Sequence, residues 1–176
     1  VKKIKCEVKG ISGLLMHAFP MVPIENPPIE KRSIEEQAEL AAYRDPETGM
    51  LYIPGIAIQR SFIGAAAYSK GKGRASLQKQ TAASMFVFPD RVGLGVKDYV
   101  IDSRPIVNPT TRGRIIRHRP RLDEWKAKFE IEYDESLLTE RQVRQIVDDA
   151  GSRVGLLDFR PEKKGPFGRF IVTEWK

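Results

Sequence analysis

The stretch Trp125-Lys126-Ala127-Lys128-Phe129-Glu130-Ile131-Glu132-Tyr133, followed by Leu138-Thr139-Glu140-Arg141-Gln142-Val143, decides the fold class. Its first part alternates apolar and charged residues with a period of two, so one face is buried and the other wet: a half-buried strand. Its second part is a capping box, Thr139 to Gln142, with Leu138 and Val143 placed as a hydrophobic staple. Val143, Ile146, Val147 and Ala150 then line one helical face, and Gly151 reads as the C-terminal stop. A strand feeding directly into an amphipathic helix is half of an α+β unit.

The same unit is written once more towards the N-terminus. Lys2–Gly10 alternates Ile4, Cys6 and Val8 against Lys3, Lys5, Glu7 and Lys9, which predicts a first strand. Ile58, Phe62, Ala65 and Ala66 recur at helical spacing, predicting a core-facing helix over 56–68 with Pro54 at its entrance. Met85–Phe88 and Asp98–Val107 read as strands, and Phe170–Trp175 as the closing one. Four prolines make Pro20–Pro28 a loop. Ser33 to Glu36 is a further capping box, opening a short helix to about Arg44. Asn108–Arg121, with Pro109, Gly113 and Pro120, reads as a protruding loop or hairpin. The order predicts an α+β fold of ferredoxin-like type, an antiparallel sheet with two main helices on one face and a thumb-like projection.

At 176 residues, 41% hydrophobic and 30% charged, the chain is expected to form one globular domain. No apolar run reaches the roughly 18 residues of a membrane span, and the start Val1-Lys2-Lys3-Ile4-Lys5 lacks the apolar core of a secretory signal. The single cysteine, Cys6, falls in a strand and reads as core. These features suggest a reducing cytoplasm.

The net charge of +7 is unevenly spread. Thr48–Pro89 contains no acid but holds Arg60, Lys70, Lys72, Arg74 and Lys79; Ser103–Leu122 contains none but holds Arg104, Arg112, Arg114, Arg117, Arg119 and Arg121. With no local acid to neutralise it, the arginine run predicts a polyanion-binding face. Arginine forks match phosphate oxygens, and their planes stack on unpaired bases, so single-stranded RNA is the expected partner. His118 sits within the run, and Ile115 and Ile116 could wedge against bases. Lys70–Arg74 has glycines that allow close approach to a phosphate, but it lacks P-loop spacing. A third basic stretch carries Arg153, Arg160, Lys163, Lys164, Phe167 and Arg169, glycine and aromatics interleaved as on a phosphate-hugging loop with a stacking ring. A solvated surface, or one docked on an acidic protein, is the alternative for all three.

Catalytic signals are sparse. Two histidines and one cysteine cannot supply a zinc site, so neither metal nor cofactor is expected. His17 and Asp45, the latter sharing a turn with Glu47, are the acid–base candidates for a metal-independent cleavage of RNA.

Three segments together resemble the RAMP superfamily, the repeat-associated proteins of CRISPR ribonucleoprotein complexes. They are Ile11-Ser12-Gly13-Leu14-Leu15-Met16-His17, then Tyr52-Ile53-Pro54-Gly55-Ile56-Ala57-Ile58-Gln59-Arg60, and the late Gly-Arg-rich loop. The resemblance implies an RRM-type domain over 1–176 with insertions at about 17–50 and 108–122, the latter a thumb. It implies an RNA-binding, non-catalytic backbone subunit that forms homo-oligomers along a guide-like strand in antiviral defence. Here Ile56 stands where a serine is usual, and Arg160–Gly165 is an added segment. A ribonuclease of the same superfamily and a single-stranded-DNA-binding or annealing protein remain open alternatives.

Overall fold

Alternation in the first strand has the expected result: Ile4, Cys6 and Val8 are buried while Lys3, Lys5 and Lys9 face water. In the computed structural model, which describes residues 1–21 and 27–176, nine strands and four α-helices follow one another. In chain order these are β1 (Lys2–Gly10), β2 (Leu14–Leu15), α1 (Ile34–Leu40), β3 (Tyr52–Pro54), α2 (Gly55–Ala65) and α3 (Gln78–Ser84). Then come β4 (Met85–Phe88), β5 (Arg91–Gly93), β6 (Val100–Val107), β7 (Arg114–Leu122), β8 (Lys126–Tyr133), α4 (Glu140–Asp149) and β9 (Phe170–Trp175). Residues 22–26 of the expected proline-rich loop lie outside the described residues.

The main sheet has the order β4-β8-β1-β9, every pair antiparallel. With α2 leading into β4 and α4 into β9, this is the ferredoxin-like α+β arrangement. The register places like with like: Ile4 opposite Ile131, Cys6 opposite Phe129, Val8 opposite Ala127, Val87 opposite Ile131. On this face lie α2, through Ile58, Phe62 and Ala65, and α4, through Val143, Ile146 and Val147. Phe62 and Phe129 meet with ring centres 6.2 Å apart. Burial pushes the Cys6 thiol up to about 12, so it is a core residue without thiolate character.

The opposite face is laced with ions. Lys3 lies 3.3 Å from Glu130 and 3.0 Å from Glu132, and Lys128 lies 3.3 Å from Glu7. Beyond the main sheet, β2, β7 and β6 form a second, three-stranded sheet in which β6 and β7 make one long hairpin. The segment expected to protrude is therefore largely strand, with Asn108–Gly113 as its turn: Arg112 and Thr110 both donate to Asn108, and Arg112 has φ +57°.

Several details differ from the sequence reading. Helix α1 ends at Leu40 rather than near Arg44, and α3 and β5 had no periodic signal of their own. Gly151 does not stop the last helix: the chain runs on through it as a π-turn, Ala150–Val154, and ends at Gly155 with φ +77°. Gly151 is glycine for another reason, because a Cβ there would collide with the Phe170 carbonyl of β9. The cap at the other end is as read. Thr139 accepts from the Gln142 N–H, and Gln142 accepts from the Thr139 N–H at 2.9 Å.

The close approach at Gly151 makes a test. Gly151→Ala is expected to lower stability by about 1–3 kcal/mol through overpacking, measured as a fall in urea midpoint at unchanged slope. Gly93→Ala, where nothing lies within 4 Å of the new methyl, is expected to stay within about 0.5 kcal/mol of the wild type.

Candidate nucleic-acid interface

The main helix and the stretch after α4 are joined by a single buried polar contact. Ser61, on the buried side of α2, donates to the Gly155 carbonyl at 2.8 Å. The positive φ of Gly155 then turns the chain back across the first turns of α2. Gly168 (φ +79°) closes that loop from its far side, donating to the Gly13 carbonyl and accepting from the Leu156 N–H. Three segments distant in sequence thereby meet: the end of β2, the start of α2 and the glycine-rich loop.

Where they meet there is a cleft of about 300 Å³ lined by His17, Tyr43, Ile56, Arg60, Asp158 and Arg160, among others. Of the residues expected from the sequence, it gathers His17, Arg60 and Arg160. Arg60 and His17 are exposed, and Ile56 opens 58% of its surface to water at the cleft mouth. Arg160 is held in shape by the Leu157 carbonyl at 2.9 Å and by Glu162 at 2.9 Å. The cleft thus combines cations, an apolar ledge and carboxylates, a lining suited to a polar strand whose phosphates and bases need different neighbours.

The arginine run divides by strand register. Arg117, Arg119 and Arg121 stand opposite Arg104, Asp102 and Val100 on one face of the hairpin; Ile116 and His118 stand on the other. The inward face does find acids. Asp102, 3% exposed, receives Arg104 at 2.6 Å and Arg121 at 3.0 Å, and Arg121 also reaches Asp123 at 2.8 Å. Arg119, 5% exposed, is paired with Asp158. The expectation that nothing neutralises the run is corrected here: Asp102 lies one residue outside the acid-free stretch, and Asp158 is brought from the late loop. Arg119 and, in large part, Arg121 are spent inside the fold. Phe167 is also buried, its ring covered by the Arg104 guanidinium at 4.9 Å rather than open to a base.

What stays free lies further out. Arg112 and Arg114 are exposed at the hairpin tip, beside Val107 and Ile116, which are 61% and 60% exposed. Lys163, Lys164 and Arg169 are exposed on the late loop, and none of these five has an acid partner among the described residues. Lys70, Lys72, Arg74 and Lys79 lie on and after the turn following α2. Lys70 shares a separate cavity with Arg141 and Arg153, and Arg153 stacks on Tyr68 at 4.8 Å and faces Asp149 at 3.6 Å. They are not part of the His17 cleft. Asp45 is also elsewhere. It accepts from the Glu47 N–H at 2.9 Å, faces Arg91 at 3.4 Å and lines a cavity with Tyr52 and Gly93. The two acid–base candidates are therefore not brought together. His118 shares a 2.6 Å hydrogen bond with Ser103, while His17 faces Asp158 at 3.7 Å. Among the described residues, no three of His, Cys, Asp and Glu cluster to hold a metal ion, and no helix is long and apolar enough to cross a membrane.

Burial alone would raise the Asp158 and Asp102 carboxyls. The nearby His17 and the charge of Arg119 outweigh it at Asp158, and hydrogen bonds from Arg104 and Arg121 do so at Asp102. Both end below the ordinary aspartate value of 3.8. A lowered folded value means the stability they supply is complete above 3.8 and is lost as pH falls through the lower folded values. Asp102→Asn is expected to cost about 2–3 kcal/mol at neutral pH, less than a fully buried pair because both arginines reach water. In urea titrations the gap between wild type and variant is expected to narrow as pH drops below 3.8.

No family model and no curated protein matches the chain. Among solved structures it is similar to a chain in the cryo-EM structure of the Type III-B Cmr-beta bound to cognate target RNA. The identity is 12% and the TM-score 0.53, over 99% of this chain and 59% of that one. This chain therefore spans about 59% of its neighbour's length, and what the two share at this identity is the fold.

Proposed function

We propose that this chain is a single-stranded-RNA-binding protein of RAMP type, a subunit that lies in several copies along a guide-like strand in an RNA-guided interference complex. The observation that carries the reading is the cleft where His17, Arg60 and Arg160 converge at the start of α2 under the glycine-rich loop. Two further features support it. The free cations at the hairpin tip and on the late loop extend a positive surface beyond the cleft. The fold is also shared with a chain of a complex bound to target RNA. In this reading the strand passes through the cleft, Arg60 holds a phosphate, Ile56 supports a base, and Arg112 and Arg114 grip the strand further along. The ion-laced outer sheet face, where an RRM would stack bases, stays outside the path.

A second reading, a metal-independent ribonuclease, has one observation in its favour: His17 and His118 line the same small cavity. RNA cleavage that disappears in His17→Ala would select it over the binding role.

Filter binding of a labelled single-stranded RNA across a salt series tests the main proposal. Arg60→Glu is expected to weaken binding at least tenfold, a loss of about 1.4 kcal/mol or more. Arg112→Ala with Arg114→Ala is expected to flatten the log affinity against log salt slope by about 1.4, about 0.7 per lost phosphate contact. Tighter binding of the equivalent DNA, or RNA binding unchanged in both variants, would overturn the proposal.

A further inference from the structure

At the root of the β6–β7 hairpin, next to the main cleft, is a second and much smaller cavity of about 40 Å³. Its lining includes His17, Gln37, Arg117, His118 and Arg119, and no carboxylate. Two guanidiniums there carry an orphan donor. Among the described residues, the Nε–H groups of Arg117 and Arg119 are buried without a hydrogen-bond partner, though Arg119 also pairs with Asp158 through Nη1. Arg119 is 5% exposed, so water does not readily supply what is missing. A buried charged donor left unmet is costly, and native structures leave few of them. Two arginine forks beside a small cavity with no carboxylate among its described lining residues are complementary to one compact oxyanion.

We propose that this cavity is a phosphate-binding site, taking one phosphate group on the Nε–H donors of Arg117 and Arg119. The cavity, about 40 Å³, admits only a small group. Gln37 of α1 closes the cavity from the other side, its amide fixed by the Arg32 carbonyl at 2.9 Å. The phosphate is either one of a bound strand or a free one. The first case rests on the RNA-binding proposal above, and the second does not.

The test follows the arginine Nε–Hε resonances of the whole protein by NMR while inorganic phosphate is added, with chloride at equal ionic strength as control. Saturable movement of the Arg117 and Arg119 signals, with the Arg44 signal unmoved because Glu39 already occupies its Nε at 2.5 Å, is the expected result. Arg117→Gln is expected to weaken phosphate binding about tenfold or more while Arg44 and Arg144 signals report an intact fold. A ten-nucleotide RNA is then added to a fresh sample, with binding followed separately by filter assay. If RNA moves the same two signals, the site holds a strand phosphate. If phosphate moves them and RNA does not bind, the site stands for a free phosphate and the RNA-binding proposal falls. If neither moves them, the inference is overturned, even where the filter assay shows RNA bound.

Discussion

The pairing of Arg119 with Asp158 is the contact on which the arrangement of this face depends. It joins the hairpin to the glycine-rich loop, and Asp158 also donates its backbone N–H to the Leu15 carbonyl on β2 at 3.0 Å. One aspartate therefore holds three segments that the ferredoxin-like core alone would leave independent. Its neighbour Asp102 does similar work within the hairpin, drawing Arg104 over the rings of Phe159 and Phe167 and so stacking β6 on the loop. Buried ion pairs contribute little net stability compared with apolar packing, yet losing one partner strands the other charge at a high cost. Here that cost keeps the hairpin and the loop together beside the cleft.

The core was legible in the sequence wherever one face of an element is buried and the other is wet. β1 and β8 show this most clearly, and Thr139 with Gln142 marked the start of α4 to the residue. Short or fully buried elements gave no such contrast. The strand β5 has three residues, and α3 buries only Thr81 and Ser84, so neither offers a period to read. Gly151 was misread for a related reason: a glycine after an apolar face looks like a stop, whereas its cause is the approach of β9, a strand 19 residues on in sequence.

The site was legible in composition but not in assignment. The acid-free stretches hold exposed cations, Arg60, Arg112 and Arg114 among them, but charge along a chain does not say which guanidinium meets which carboxylate across a fold. Arg119 and Arg114 are five positions apart in one strand; one is sealed against Asp158 and the other stands in water. The alternation of β7 decides this, and it was hidden while the segment read as a loop. Ser61 and Asp158 escaped notice because a lone serine on a helix and a lone aspartate beside a phenylalanine have no local signature. Their importance lies in partners 94 and 39 residues away.

The hairpin is anchored near its base and free beyond it, which makes it a lever. Between Arg119, fixed by its carboxylate, and Arg114 at the tip, the strand advances about 3.3 Å per residue, a reach of about 17 Å. Small changes at the fulcrum are magnified at the far end, so the angle of the tip is set by the salt bridge rather than by the tip's own residues. Strand parity also applies along the arm. Adding or removing one residue between fulcrum and tip would turn the outer arginines to the opposite side, whereas two residues would keep their direction and change only their distance. Length variation in such an arm is thereby quantised in pairs, with one step of about 7 Å between permitted positions.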